Sequence, residues 1–272
     1  MKITENRLKF RKVKKEKKLN KKLIYKIDID EEGFFLERPN RFIAKVKLDT
    51  GEEVISHVHD SGRLKELLFE NNKVFLRKAK DLTKRKTEWD MIAALSDDNE
   101  EILINSSFHR YITDILFNDC EISPFGKIDK IKAEVKYGES RLDYLIEKNN
   151  EKIWVETKGV SLSINKVATF PDAPSIRATR HLNELIELKK QGNRAAVVLI
   201  VLRDSETFEP KWETDPIFSE TFYKAMELGV EVYPIQFKLE NGNIYWIKKI
   251  INICGNKNLN IEKVKVKKIR KS

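Results

Sequence analysis

Ala195 to Leu202 reads Ala-Ala-Val-Val-Leu-Ile-Val-Leu, a run with no polar side chain. A strand with one wet face alternates apolar and polar residues, so a continuous run marks a strand covered on both faces. Such a strand needs neighbours at its edges and helices against the sheet. The surrounding pattern supplies them. Phe108, Ile112, Ile115 and Leu116 recur at helical spacing, with Phe117 ending the apolar side and Asn105 or Ser106 as the cap. Ser175 caps a second helix through Leu182, Leu185, Ile186 and Lys189, stopped by Gly192. A third passes through Phe218, Phe222, Ala225 and Met226 to Gly229. Residues 131–137, 230–233 and 244–247 read as further strands, so the expectation is a mixed sheet flanked by helices.

The chain before this is of a different class. Short strand signals at 34–38, 41–48, 53–58 and 73–77 are separated by turn residues such as Asp49-Thr50-Gly51, a spacing that predicts a small barrel of the oligonucleotide-binding (OB-like) kind. Phe34, Phe35, Arg38, Arg41 and Phe42 are the aromatic and basic types such barrels use on nucleic acid, although aromatics also fill barrel interiors. Residues 81–100 are polar and mixed, as a joint would be. The organisation expected is a basic extension at 1–22, a barrel at 23–95, an α/β (α+β) domain at 96–255 and a basic tail at 256–272.

One hairpin carries the chemistry. Leu142–Lys148 and Glu151–Lys158 are rich in aliphatic and aromatic residues and flank Asn149-Asn150, a pair that tolerates the left-handed backbone of a tight turn. With a two-residue loop Lys148 faces Glu151, Asp143 falls opposite Glu156, and Glu156 and Lys158 share a face with Asp143. A three-residue loop would shift the register and separate the pair. Opposed carboxylates about 4.5–5.5 Å apart at Cβ destabilise a sheet. A divalent cation between them removes that penalty, with Lys158 beside it to act on water. In a chain that is 35% charged, Glu-x-Lys also arises as an ordinary solvated strand face.

Lys plus Arg exceed Asp plus Glu by 53 to 43, a net charge of +10, which suggests a polyanionic partner on one surface, nucleic acid first. Arg177, Arg180 and His181 fall in the first turns of a helix, where cations oppose the macrodipole. A phosphate backbone or a neighbouring acidic surface accounts for them. Cys120 and Cys254 lack metal-type spacing and read as buried thiols of a reducing compartment. His57-x-His59 lacks a third and fourth ligand for zinc. Without an apolar span or a secretory signal, a soluble cytoplasmic protein is expected.

The blocks AEVKYGESRLDYLI, WVETKGVSL, TFPDAPSIRATRHLNEL and GNRAAVVLIVLR, in that order, resemble the sugar fermentation stimulation protein A family. RFIAKVKLDTG and SHVHDSGRL resemble its N-terminal segments. The resemblance spans roughly residues 34–237 and implies an OB-type barrel joined to a nuclease domain of the PD-(D/E)xK superfamily. In that superfamily an aspartate and an E-x-K on adjacent strands form a magnesium site. The matching positions are Asp143, Glu156 and Lys158, with Glu134 matching a glutamate on the preceding strand. Departures from the family pattern are Thr157 for valine, His59-Asp60-Ser61-Gly62 for Pro-Asn-Thr-Gly, His109-Arg110 for Ala-Asn and Arg177-Ala178 for Arg-Gly.

The function this implies is a Mg²⁺- or Mn²⁺-dependent nuclease acting on DNA, with RNA a further substrate. Asp143, Glu156, the Thr157 carbonyl and Glu134 would hold the metal, and Lys158 would serve the attacking water. Arg38, Arg41, Phe42, Lys166, Arg177 and Arg180 would hold nucleic acid. Asp172 and His181 stand second, with a structural role in loop and helix start favoured for both. The rival is a non-catalytic DNA-binding regulator of sugar-metabolism genes.

Overall fold

The computed structural model describes residues 21–60, 62–83 and 85–255. In chain order these form β1 (Lys21–Lys26), β2 (Glu31–Asn40), β3 (Ile43–Leu48), β4 (Glu53–Val58), β5 (Lys73–Lys78), β6 (Trp89–Leu95), β7 (Glu101–Leu103) and α1 (Ser107–Asn118). There follow β8 (Lys130–Tyr137), β9 (Ser140–Lys148), β10 (Glu151–Val160), β11 (Leu162–Ile164), β12 (Val167–Phe170) and α2 (Ile176–Lys190). The chain continues through β13 (Arg194–Val201), β14 (Thr207–Pro210), α3 (Pro216–Glu227), β15 (Glu231–Glu240), β16 (Asn243–Ile247) and β17 (Asn252–Ile253).

Strands β2, β3, β4, β6 and β5 close a barrel in that order, with β4 and β6 parallel and β5 returning to β2. Alternation places Ala44, Val46, Leu48, Val54 and Val58 inside with Leu76 and Met91. Gly33 sits where β2 crosses β3 so closely that a Cβ would lie 2.5 Å from the Lys47 carbonyl oxygen. Two expectations are corrected here. Residues 89–95 are not part of a joint: Trp89, Met91 and Ile92 are buried in the closing strand, a short apolar run that the polar average of 81–100 concealed. Nor does the segment from residue 23 open the barrel, because β1 pairs with β16. Lys21 and Lys22, expected in a free basic arm, pair with Glu240 and with Asp119 and Glu121. The other residues of the basic extension, 1–20, and the tail at 256–272 lie outside the described residues.

Beyond the barrel the sheet runs β7-β15-β13-β10-β9-β8, parallel across β15-β13-β10 and antiparallel elsewhere. The apolar run is its central strand. Ala196, Val198 and Ile200 pack into the layer that holds Phe108 and Ile112 of α1. Ala195, Val197, Leu199 and Val201 pack against Leu182 and Leu185 of α2 and Phe218 and Phe222 of α3. Ser175 caps α2 by accepting from the Ala178 N–H at 3.2 Å. Asp215 caps α3 at Phe218 and also accepts from the Ser175 N–H, so one buried carboxylate fixes both helix starts. A small sheet, β11-β12-β14-β17, flanks the second domain. Both cysteines are free, but Cys120 is exposed and Cys254 half-buried, against the expectation of buried thiols; Cys120 lies just past the end of α1, where the chain leaves the core. Among the described residues no helix is long and apolar enough to cross a membrane.

Candidate active site

Asn149 and Asn150 take the left-handed backbone, φ 50° and 65°, that a two-residue hairpin turn demands. Lys148 therefore pairs with Glu151, and the ladder continues to Tyr144 opposite Val155. The next rung would join Asp143 to Glu156, and there the ladder stops. Asp143 Oδ2 instead accepts both the backbone N–H and the hydroxyl of Thr157, each at 2.7 Å. On the other side of β9 the ladder to β8 skips the same rung, where Glu134 adopts a left-handed φ of 50°. Non-glycine residues held in that region cost on the order of 1 kcal/mol and gather at functional sites.

Glu156 is only 2% exposed. Its Oε1 accepts from Lys158 Nζ and from His181 Nδ1, both in short contacts, while Oε2 is buried with no hydrogen-bond partner. Burial by itself pushes this carboxyl up, but Lys158 and His181 outweigh it and hold it below the usual range. Asp143 behaves oppositely. Burial, and then the nearby Glu156 charge, raise it despite Lys158 and the Thr157 donors. Two neighbouring acids on adjacent strands are thus pushed in opposite directions by their surroundings, a pattern characteristic of reactive sites. Chemically, the fold presents an unpaired buried oxygen of Glu156 beside a half-buried aspartate and an ammonium group.

The sequence-predicted residues divide accordingly. Asp143, Glu156, Thr157 and Lys158 come together. His181, assigned to the helix start, in fact points from the first turns of α2 into the sheet and is 1% exposed against Glu156, because its position lies on the buried face with Ala178, Leu182 and Leu185. Glu134 does not join the carboxylates. It lies at the surface beside Arg141 at 3.1 Å and Arg110 at 4.0 Å, carried outward by its left-handed backbone. Among the described residues no group of three or more His, Cys, Asp or Glu is arranged to hold a metal.

Of the cations expected on nucleic acid, Arg177 and Arg180 are exposed on α2 without an ion-pair partner among the described residues. Arg41 is exposed as well. Lys166 is not free: Asp204 at 3.0 Å and Asp98 at 3.7 Å take its charge. Nor is Arg38, whose guanidinium donates to the carbonyls of Asp60 at 2.7 Å, Gly62 at 2.8 Å and Arg63 at 3.0 Å, and to that of Arg41. It pins a barrel loop. Asp172 accepts the Arg63 N–H at 2.9 Å and so ties that loop to the second domain. Phe42 is 47% exposed, its ring nearly parallel to His57.

His109, noted from the sequence only as a departure from the family's alanine, lies beside the site. His109 of α1 packs its imidazole edge against Gly159, next to Lys158, so that a Cβ there would lie 2.8 Å from both ring nitrogens. Burial lowers its pKa to about 4, leaving it neutral near pH 7. A glycine directly after Glu-Thr-Lys was the available signal, together with histidine where the family has alanine.

Known proteins share this architecture. Residues 36–104 match the SfsA N-terminal OB domain and residues 106–243 the sugar fermentation stimulation protein RE domain. The chain belongs to the sugar fermentation stimulation protein family. Within the family it is 44% identical over 228 residues to a sugar fermentation stimulation protein homolog of Thermosipho melanesiensis, covering 84% of this chain and 96% of that one. The homolog of Methanococcoides burtonii is 40% identical over 239 residues, 85% of this chain and 95% of that one. A solved family structure, that of Pyrococcus furiosus SfsA in complex with Ca²⁺, matches with a TM-score of 0.76 and 26% identity, over 86% of this chain and all of that one.

Proposed function

We propose that this protein is a metal-dependent nuclease of the PD-(D/E)xK kind that hydrolyses phosphodiester bonds in DNA, with RNA a further substrate, in the cytoplasm. The observation that carries the reading is the buried, unpartnered Oε2 of Glu156 beside a like-charged Asp143. Leaving a buried acceptor unsatisfied costs about 1–3 kcal/mol, and folding gains nothing from it. The donor set fits a hard cation: two carboxylates and the Thr157 carbonyl are oxygens, and Asp143, Glu156 and Thr157 would hold Mg²⁺ or Mn²⁺, ions that commonly take water and phosphate in place of a third side chain. Pyrococcus furiosus SfsA was solved in complex with Ca²⁺, an ion of the same hard class.

When bound, the cation supplies a positive centre that polarises the phosphate and acidifies a water molecule. The chain's own residues do the rest. His181 and Lys158 both hold Oε1, which leaves Oε2 without a protein partner and available to a cation. Thr157 fixes Asp143 through two hydrogen bonds. Lys158, 17% exposed at its side chain, keeps N–H groups beyond the one it gives Glu156, and these would orient the attacking water and meet charge developing on phosphate.

The test is to incubate the purified full chain with single- and double-stranded DNA in Mg²⁺, Mn²⁺ or EDTA. Cleavage requires metal, and Asp143→Asn or Lys158→Ala each lowers it by about 10²-fold or more while DNA binding persists. Cleavage in EDTA, or surviving both substitutions, overturns the assignment. Binding without cleavage under every metal condition points instead to the non-catalytic regulator.

A further inference from the structure

Each acid of the candidate site has one oxygen fully engaged and one left bare. A carboxylate oxygen offers two lone pairs to donors. Asp143 Oδ2 gives both to Thr157, accepting its backbone N–H and its hydroxyl at 2.7 Å each. Glu156 Oε1 likewise accepts from Lys158 Nζ and from His181 Nδ1. Asp143 Oδ1 and Glu156 Oε2 accept no hydrogen bond among the described residues. Satisfying the two acids does not require this asymmetry. The same four donors spread over all four oxygens would leave none bare.

What the asymmetry controls is how each acid grips a cation. A carboxylate binds an ion through one oxygen or through both, and the two modes suit different ions. Mg²⁺ demands near-ideal octahedral geometry at about 2.0–2.1 Å, which one oxygen from each acid can serve. Mn²⁺ shares that octahedral preference for oxygen. Ca²⁺ takes about 6–8 oxygens at about 2.3–2.6 Å and often gathers them by holding a carboxylate through both oxygens. That grip needs a free lone pair on the second oxygen, and at both acids the second oxygen is filled.

The groups that fill them differ in what else they do. Lys158 and His181 hold the charge of Glu156, and the Thr157 N–H belongs to the backbone. Only the Thr157 hydroxyl can be removed without changing charge or side-chain shape, since valine is threonine with a methyl in place of the O–H. Thr157 is also one of the departures from the family pattern, where valine stands, so this second bond to Asp143 is a property of the present chain.

We propose that the Thr157 hydroxyl sets the ion preference of the site: by filling Asp143 Oδ2 it confines Asp143 to coordination through one oxygen, which favours Mg²⁺ and Mn²⁺ over Ca²⁺. This rests on the metal site of the nuclease reading and deepens it by naming the residue that selects the ion. In this role Thr157 is a positioning residue that acts through Asp143, separately from its own carbonyl.

Isothermal titration of the full chain with MnCl₂ or CaCl₂, in the absence of nucleic acid, reads ion binding apart from cleavage. Mn²⁺ should bind at least about 10-fold more tightly than Ca²⁺, and Thr157→Val should narrow that ratio by about 10-fold, the scale on which hydrogen-bond partners of ligands tune metal affinity. Thr157→Ser keeps the O–H and should retain the original ratio. Circular dichroism checks that both variants are folded. Asp143→Asn should weaken both ions, which assigns the measured heat to this site. Equal affinity for the two ions, a ratio unchanged in Thr157→Val, or a ratio that narrows as much in Thr157→Ser overturns the proposal. Ion binding untouched by Asp143→Asn, or no binding of either ion, overturns it together with the metal site. An ion preference that follows the hydroxyl without any cleavage leaves the inference standing and removes the nuclease. Metal-dependent cleavage with a preference indifferent to the hydroxyl does the reverse.

Discussion

Asp143 and Glu156 are chemically similar but contribute oppositely to folding. The folded-state pKa of Asp143 lies above its ordinary 3.8, so its ionised form carries a penalty that is complete above the folded value and absent below the ordinary one. Asn can keep accepting from Thr157 without the charge. Asp143→Asn should therefore stabilise the protein by about 0.5–2 kcal/mol at pH 7, the usual gain when a functional strain is relieved, while abolishing cleavage. Urea unfolding should show that gain shrinking as the pH falls toward and below 3.8. Glu156, held low by Lys158 and His181, contributes stability that is present above its ordinary 4.5 and lost as the pH falls through its folded value, so Glu156→Gln should destabilise. The trio was legible in the sequence because a hairpin converts sequence distance into contact. His181 was harder to place, since helical periodicity tells which face it occupies but not what lies under that face.

At the scale of the element, β10 does two tasks. Its first half pairs with β9 and builds the core, and its second half carries Glu156, Thr157 and Lys158 where that pairing ends. The parallel ladder to β13, unbroken from Ile153 to Val160, holds that second half in place. Gly159 lets α1 approach it. Gly159→Ala should cost about 1–3 kcal/mol through overpacking against His109, and should lower cleavage by shifting Lys158. If that contact is the cause, adding His109→Ala restores much of the lost stability, and a double-mutant cycle in urea measures the coupling. The register of this hairpin was readable from two asparagines. The departure of β9 from β10 was not, and neither was the left-handed Glu134 on the far strand, where an alternating lysine-rich pattern forecast regular pairing.

Across the whole molecule, a net charge of +10 says only that cations are in surplus. The fold decides which are free. Arg177 and Arg180 should each contact phosphate, so replacing either with alanine should reduce the slope of log affinity against log salt by about 0.7–0.9. Lys166→Ala should leave the slope unchanged, since Asp98 and Asp204 already take its charge. Anisotropy titrations at several salt concentrations measure both. By itself the sequence determined the central buried strand, the helix cap at Ser175, the barrel class and the approach of Asp143 to Glu156, all properties of period, turn backbone and neighbours close along the chain. Only the tertiary structure decided that Lys166 and Arg38 are engaged, that Glu134 faces arginines and that His109 lies over Gly159. Those facts depend on which residues, distant in the chain, meet when sheets and helices pack, and no local spacing records such meetings.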